Sequence, residues 1–308
     1  MEKVSVVIPA YNAERFISDA IESVLSQTHQ NVECIVVDDG STDATKTVVE
    51  KFGNRVNYLY QNNSERSAAR NFGISASSGD YISFLDADDS IAPKKIETQV
   101  QFLLENNDFD VVYSDTLHFK DFPERKFYHV KRPCPSGDIL SVLAFRNVFT
   151  VNSPLIGRPV LEKSGGFDPY LSFNEDWDFW LRLSLAGAKF GYLDETLSYC
   201  RTHQQNTSQQ RLRMYESKYE IIKKLTSEFS SEFRVRGIKT AEVVAFHQAD
   251  YGRGLILHGE KTKGQAMIKE ACRDLFPFRW LFKLFSVSST ILGTRILARI
   301  QRTWSGEL

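Results

Sequence analysis

Val4-Ser5-Val6-Val7-Ile8 is an apolar run interrupted once by Ser5 and stopped by Pro9. It is too short for the apolar region of a signal peptide and reads as a buried strand. Working outward, apolar runs at residues 32–37 and 56–60 alternate with helix-period segments at 14–27 and 42–52, which predicts a β-α-β-α-β beginning. The pattern continues with a helix over 67–77, a strand at 81–85, a helix from Pro93 to about Asn106 and a strand near 111–113. Pro93 suits the first turn of a helix, where its missing N–H would lack a partner in any case. Such alternation implies an α/β fold: a mostly parallel sheet covered on both faces, with ligands bound beyond the carboxyl ends of the strands. Polar punctuation falls at those ends, as Pro9-Ala10-Tyr11-Asn12, residues 38–42 and residues 86–89.

From residue 114 to 150 the period is lost and Pro123, Pro133 and Pro135 cluster, which predicts a long surface excursion. Regular features resume near Pro154, and an amphipathic helix is expected over 175–186, ended by Gly187. After Ser208 the chain becomes helix-forming and charge-rich, with helical windows at 211–229 and 241–272 and hairpin-like small-residue spacing over 249–271. Residues 1–208 are therefore read as one domain and 209–308 as a helical C-terminal extension.

Hydrophobic residues make up 42% and charged residues 25%, the mix of a globular protein, and a formal net charge of -1 provides no field that would gather nucleic acid. Cys34, Cys134, Cys200 and Cys272 show no CxxC spacing, which fits reduced cytosolic thiols better than a disulfide frame or a zinc site. No uninterrupted apolar stretch approaches the roughly 18 residues of a membrane span.

Chemistry concentrates in a few places. Phe84-Leu85-Asp86-Ala87-Asp88-Asp89 packs three mutually repelling carboxylates at a strand end, an arrangement that a hard cation such as Mg²⁺ or Mn²⁺ relieves. Capping of the helix near Pro93 by Asp89 or Ser90 accounts for one acid, not three. Asp38-Asp39-Gly40-Ser41 follows the second strand, where a carboxylate either closes a turn or accepts hydrogen bonds from a base or ribose. Arg70, within Ala69-Arg70-Asn71, offers a fork of donors to phosphate or carboxylate. Glu175-Asp176-Trp177-Asp178-Phe179-Trp180 opens a helix: its acids suit the helix dipole, and one set against aromatic walls also suits a general base. Trp177 and Trp180 are read as core or pocket wall. Tyr199-Cys200-Arg201-Thr202-His203 follows a strand and places Arg201 and His203 to meet a diphosphate or complete a metal shell.

In this order and spacing, Val6-Val7-Ile8-Pro9-Ala10-Tyr11-Asn12, Asp38-Asp39-Gly40-Ser41, Ala69-Arg70-Asn71, Asp86-Ala87-Asp88-Asp89 and Glu175-Asp176 resemble the inverting family 2 glycosyltransferases of GT-A fold, over about residues 4–208. The resemblance implies a Rossmann-like sheet and transfer of a sugar from a nucleotide-sugar donor, a UDP-sugar favoured, to a sugar or lipid-linked saccharide in polysaccharide or glycolipid synthesis. It also implies roles. Pro9, Ala10, Tyr11, Asn12 and Asp39 would hold the nucleotide, with Asp38 supporting the turn and Arg70 nearby; Asp86 and Asp88 would form the DxD element, Asp88 meeting Mg²⁺ or Mn²⁺; Asp176 would be the base beside Glu175; and His203 would face the metal-diphosphate. Two departures stand out. Glu65 occupies a position where many relatives carry glycine, implying a different backbone approach to the donor, and Gln210 and Arg213 are followed by Met214 rather than the Trp of the processive QxxRW motif. The latter, without membrane spans, argues for one sugar per encounter. Rival readings are a non-catalytic sugar-nucleotide-binding protein, against which all the acids stand present, and a nucleotidyltransferase, which would need a Gly-rich, basic phosphate loop after the first strand.

The C-terminal tail sets Arg279, Lys283, Arg295, Arg299 and Arg302 among apolar residues, with no acid from Leu275 to Gly306. Two uses fit this pattern: contact with an anionic membrane surface, or packing onto the catalytic domain. The first would place a cytoplasmic enzyme on the inner face of the plasma membrane.

Overall fold

The computed structural model describes the backbone of residues 1–120, 122–126, 134–202 and 210–274, and side chains in the same segments except 120 and 122–126. His203 and the tail from Leu275 onward lie outside the described residues. Two compact units divide between Gln204 and Gln205.

The first unit begins with β1 (Val4–Ala10), α1 (Ile17–Leu25), β2 (Val32–Asp38), α2 (Thr45–Glu50), β3 (Val56–Tyr60), α3 (Glu65–Ala76) and β4 (Tyr81–Phe84). It continues with β5 (Ser90–Ile91), α4 (Lys95–Glu105), β6 (Val111–Lys120), β7 (Phe122–Lys126), α5 (Leu140–Leu143), β8 (Leu155–Gly157), α6 (Arg158–Ser164), α7 (Glu175–Leu185) and β9 (Phe190–Arg201). These strands form one sheet in the order β3-β2-β1-β4-β8-β6-β9-β5, with β7 paired to β6. Strands β3, β2, β1 and β4 are mutually parallel, β8 is antiparallel to both β4 and β6, and β9 runs parallel to β6.

The core explains the mostly apolar character of the first strand. Val4, Val6, Ile8 and Ala10 share a cluster with Ile17, Ala20, Ile21 and Val24 of α1 and Ile96, Val100 and Leu103 of α4. Val7, next along the pleat, points to the opposite face, where α3 lies so close that a Cβ on Gly73 would overlap Val7 Cγ1. A strand buried on both faces has no side to spare for polar residues.

Several sequence expectations need correction. Pro93 is not in the helix, which starts at Lys95 behind an Lys94 cap. Among the described residues, the stretch from 114 is not all a surface excursion: β6 runs on to Lys120 by pairing with β9, and Ile139, Leu140, Leu143 and Phe149 are buried. That pairing shifts register around Asp115, with the extra residues lying in β9. Glu65 adopts φ +72, in the left-handed region that favours glycine.

The second unit contains α8 (Arg211–Glu228), α9 (Ser230–Val235), α10 (Thr240–Leu257) and α11 (Lys261–Ala271). The window at 241–272 is thus two helices, turned at Gly259 (φ +97). They pack backbone to backbone at Gly252 and Gly264, where either Cβ would press on the other residue's carbonyl oxygen. Among the described residues, no helix is long and apolar enough to cross a membrane.

Candidate active site

Strand β1 lies between β2 and β4, reached by connections that leave in opposite directions, so the order reverses beside β1 and opens a crevice at the strands' carboxyl ends. Ala10 is level with Asp38 in the ladder, and Val7 with Phe84, so the loops after β1, β2 and β4 emerge side by side.

The first two loops are laced together. Asn12, in the left-handed region at φ 49, accepts from the Thr42 N–H at 2.8 Å through Oδ1, while its own N–H donates to Ser41 Oγ at 3.0 Å. Asp38 is buried and braces the turn, Oδ1 accepting from the Ser41 N–H (2.8 Å) and Oδ2 from the Tyr58 hydroxyl (2.7 Å). Asp39 Oδ1 accepts from Gln61 Nε2 (2.6 Å) and the Ser64 N–H (2.9 Å), and its N–H donates to Ala10 O. Asp39 Oδ2 has no recorded partner among the described residues. Ala10 is buried, Pro9 half-buried, and Tyr11 exposed at the rim.

In the third loop, Asp86, Asp88 and Asp89 bring one ligand atom each to within 4.8 Å of one another. They are not equivalent. Asp89 is buried: Oδ1 accepts from the Arg201 N–H (2.7 Å), and Oδ2 accepts from Asn152 Nδ2 (2.9 Å) and the Cys200 thiol (3.0 Å). Burial, together with the charges of Asp88 and Asp86, pushes the Asp89 carboxyl well above the usual carboxylate range, and burial likewise pushes up the Cys200 thiol. Asp89 therefore fastens the loop to β9, and neither it nor Ser90, which enters β5, caps the following helix. Asp86 and Asp88 remain half-buried. Arg201 braces the same loop from outside, Nε donating to Asp88 O (3.0 Å) and Nη2 to Asp19 (2.9 Å), with its guanidinium between the rings of Phe16 and Phe119. A pair of partly exposed hard oxygen donors at a strand end fits Mg²⁺ or Mn²⁺.

Arg70 joins this loop to α7. Its guanidinium is 1% exposed, donates to Asp86 Oδ1 (2.7 Å) and Glu175 Oε1 (3.0 Å), and lies 5.0 Å from the Phe167 ring centroid. Burial alone would favour losing its proton, but the two carboxylates outweigh that and hold it firmly charged. Arg66 approaches the same Glu175 oxygen at 3.7 Å.

Beside Glu175, Asp176 begins α7 half-buried, with Oδ1 accepting from the Trp177 N–H (2.7 Å) and Oδ2 from Asn147 Nδ2 (2.9 Å). Burial first, then the Glu175 charge, raises its carboxyl to about 6. Trp177 and Trp180 are fully buried core residues; the Trp177 indole donates to Leu143 O (2.9 Å) and Trp180 packs on Phe149.

The matching family model, "Glycosyl transferase family 2", covers residues 5–154. An uncharacterized glycosyltransferase of Rickettsia typhi is 33% identical over 234 residues, 73% of each chain. The chain belongs to glycosyltransferase family 2. Its GT-A fold is shared by S. aureus TarS 1-349 in complex with UDP-GlcNAc (TM-score 0.62, 19% identity, 93% of this chain and 88% of that one). A mannosyltransferase of Pyrobaculum calidifontis in complex with GDP-Man and Mn²⁺ also matches (TM-score 0.55, 16% identity, 99% and 88%).

Around this transferase's crevice the fold assembles Asn12, Asp38, Asp39, Arg70, Asp86, Asp88, Glu175, Asp176 and Arg201. Sequence reasoning missed Asn147, Asn152, Cys200 and Tyr58, which hold three of the acids, Asp176, Asp89 and Asp38. Asn147 sat in the stretch read as an excursion, Asn152 lay just past its end, and Cys200 carried no spacing signal.

Proposed function

We propose that this glycosyltransferase moves a sugar from a nucleoside-diphosphate sugar, a UDP-sugar, to an acceptor hydroxyl with inversion at the anomeric carbon. The observation that carries the reading is the Arg70 bridge, which ties Asp86 of the acid loop to Glu175 next to Asp176 and so joins candidate leaving-group and base sides. The Pro9-to-Asn12 loop and the open oxygen of Asp39 would take the base and ribose, with Asp38 fixing the turn. Asp88, with the second oxygen of Asp86 and His203, would hold Mg²⁺ or Mn²⁺. Such a cation supplies Lewis-acid stabilisation of the charge that builds on the departing diphosphate. The UDP-GlcNAc complex of TarS and the GDP-Man and Mn²⁺ complex of the mannosyltransferase support donor and metal by likeness of fold.

Asp176 takes the acceptor's proton as its oxygen attacks. A carboxyl raised to about 6 is still ionised near neutrality yet more basic than an ordinary aspartate, which is what a general base requires. Arg70 keeps Glu175 neutralised, so the second carboxylate does not force Asp176 to remain protonated.

In this reading residues 1–208 are the catalytic domain and 209–308 a helical extension. Lipid-linked or polysaccharide acceptors, a cytoplasmic place and peripheral membrane contact through the basic, apolar tail rest on sequence pattern alone. A panel of nucleotide sugars with Mg²⁺ or Mn²⁺, read by donor hydrolysis and thermal stabilisation, tests the assignment. Metal-dependent turnover of one donor, with an inverted anomeric centre in the first-formed product, is expected; no stabilisation by any nucleotide sugar would overturn it.

A further inference from the structure

The loop between α5 and β8 touches both sides of the crevice. At one end Asn152 donates to Asp89 in the acid loop, and at the other Asn147 donates to Asp176 on α7. Between them Phe149 is buried among Tyr113, Trp180 and Phe190, with ring centroids 4.5, 5.1 and 6.0 Å away. Just before the loop, Leu143 O accepts from the Trp177 indole. Asn147 is thus held between two anchors, each seated on α7 within a turn of Asp176.

Its amide is committed to the carboxylate at a cost. Nδ2 donates to Asp176 Oδ2 at 2.9 Å, while Asn147 Oδ1 is buried with no hydrogen-bond partner among the described residues. A buried carbonyl left unmet is unfavourable, so a side chain chosen for stability alone would not be an asparagine in this orientation. With the Trp177 N–H on Oδ1, the Asn147 bond fixes both oxygens and therefore the plane of the carboxylate.

We propose that Asn147 is a positioning residue for the transfer reaction, holding the Asp176 carboxylate in the plane from which it accepts the acceptor's proton. The inference rests on Asp176 being the base. A donor to the ionised form also favours that form, so Asn147 offsets part of the rise that burial and Glu175 impose. The charged groups bearing on Asp176 are Glu175 from its own helix and Arg70 from α3, with Arg66 behind Glu175.

The test compares wild type with Asn147→Leu, which keeps the volume and removes the donor, and with Asn147→Ser, which leaves less to repack if the first does not fold. Carboxyl-carbon NMR titration, assigned with Asp176→Asn, reads the Asp176 carboxyl directly, and UDP-GlcNAc hydrolysis against pH reads the acidic limb of the rate. The expected result is an upward shift of the Asp176 titration by about one pH unit, with the rate limb moving alongside it and about a tenfold lower plateau. An unmoved titration in a folded variant overturns the proposal, whether or not the enzyme turns over. A moved titration with an unmoved rate limb also overturns it, because Asp176 would then not be the base. Absence of hydrolysis in the wild type counts against UDP-GlcNAc as donor and leaves the titration to decide about Asn147.

Discussion

Replacing Asp176 with asparagine should make the protein more stable while removing its activity. The carboxyl stands at about 6 in the fold against an ordinary value of 3.8, because burial and Glu175 disfavour its charge. Between those two values the folded chain binds more protons than the unfolded one, so stability falls as pH rises from about 4 to about 6 and stays lower above that window. At about 1.4 kcal/mol per pH unit the whole rise corresponds to roughly 3 kcal/mol, and relaxation around a half-buried group leaves an expected gain of about 1–3 kcal/mol for Asp176→Asn at pH 7.5. The asparagine oxygen can still accept from the Trp177 N–H, and Asn147 can turn its unpartnered Oδ1 to meet the new amide. Urea unfolding at pH 7.5 and at pH 4.5 measures the effect, and the gain should shrink toward zero at the lower pH, where the wild-type carboxyl is already neutral. Donor turnover should drop by at least about a hundredfold, the scale of positioned acid-base catalysis, with donor binding retained. A variant that is no more stable at pH 7.5, or whose gain is the same at both pH values, would refute the electrostatic account; near-normal turnover would remove Asp176 from the mechanism.

Arg70→Met should destabilise the fold by about 3 kcal/mol in urea titrations, since buried Glu175 keeps only the longer contact with Arg66 while Asp86 can turn to water. Asp88→Ala should weaken metal-dependent binding of a UDP-sugar in calorimetry, and equal donor affinity with and without Mn²⁺ in both proteins would remove Asp88 as a ligand. Gly73→Ala should cost about 1–3 kcal/mol through its clash with Val7, and Val7→Ala in the same chain should recover part of that loss, read as a non-additive double-mutant cycle.

The sequence by itself determined the order of strands and helices through residue 111 apart from the short β5, the position of each polar loop at a strand end, and the helix that opens with Glu175. These are local matters: a strand buried on both faces must be apolar, and a loop at its carboxyl end is where polar residues can stand. The family followed from the spacing of those loops. Tertiary structure alone decided what each acid does. Three carboxylates adjacent in sequence look alike, yet Asp89 is pinned by Asn152, Cys200 and Arg201 while Asp86 meets Arg70, because partners that separate them come from 16 to 112 residues away. Similarly, nothing near Asn147 marks it as the neighbour of Asp176, since the two meet only when the loop after α5 is seated on α7 by Phe149 and Leu143. The extension of β6 was hidden for the same reason: what holds Ser114 to Lys120 in a strand is the pairing with β9, whose residues lie more than 75 positions further along the chain.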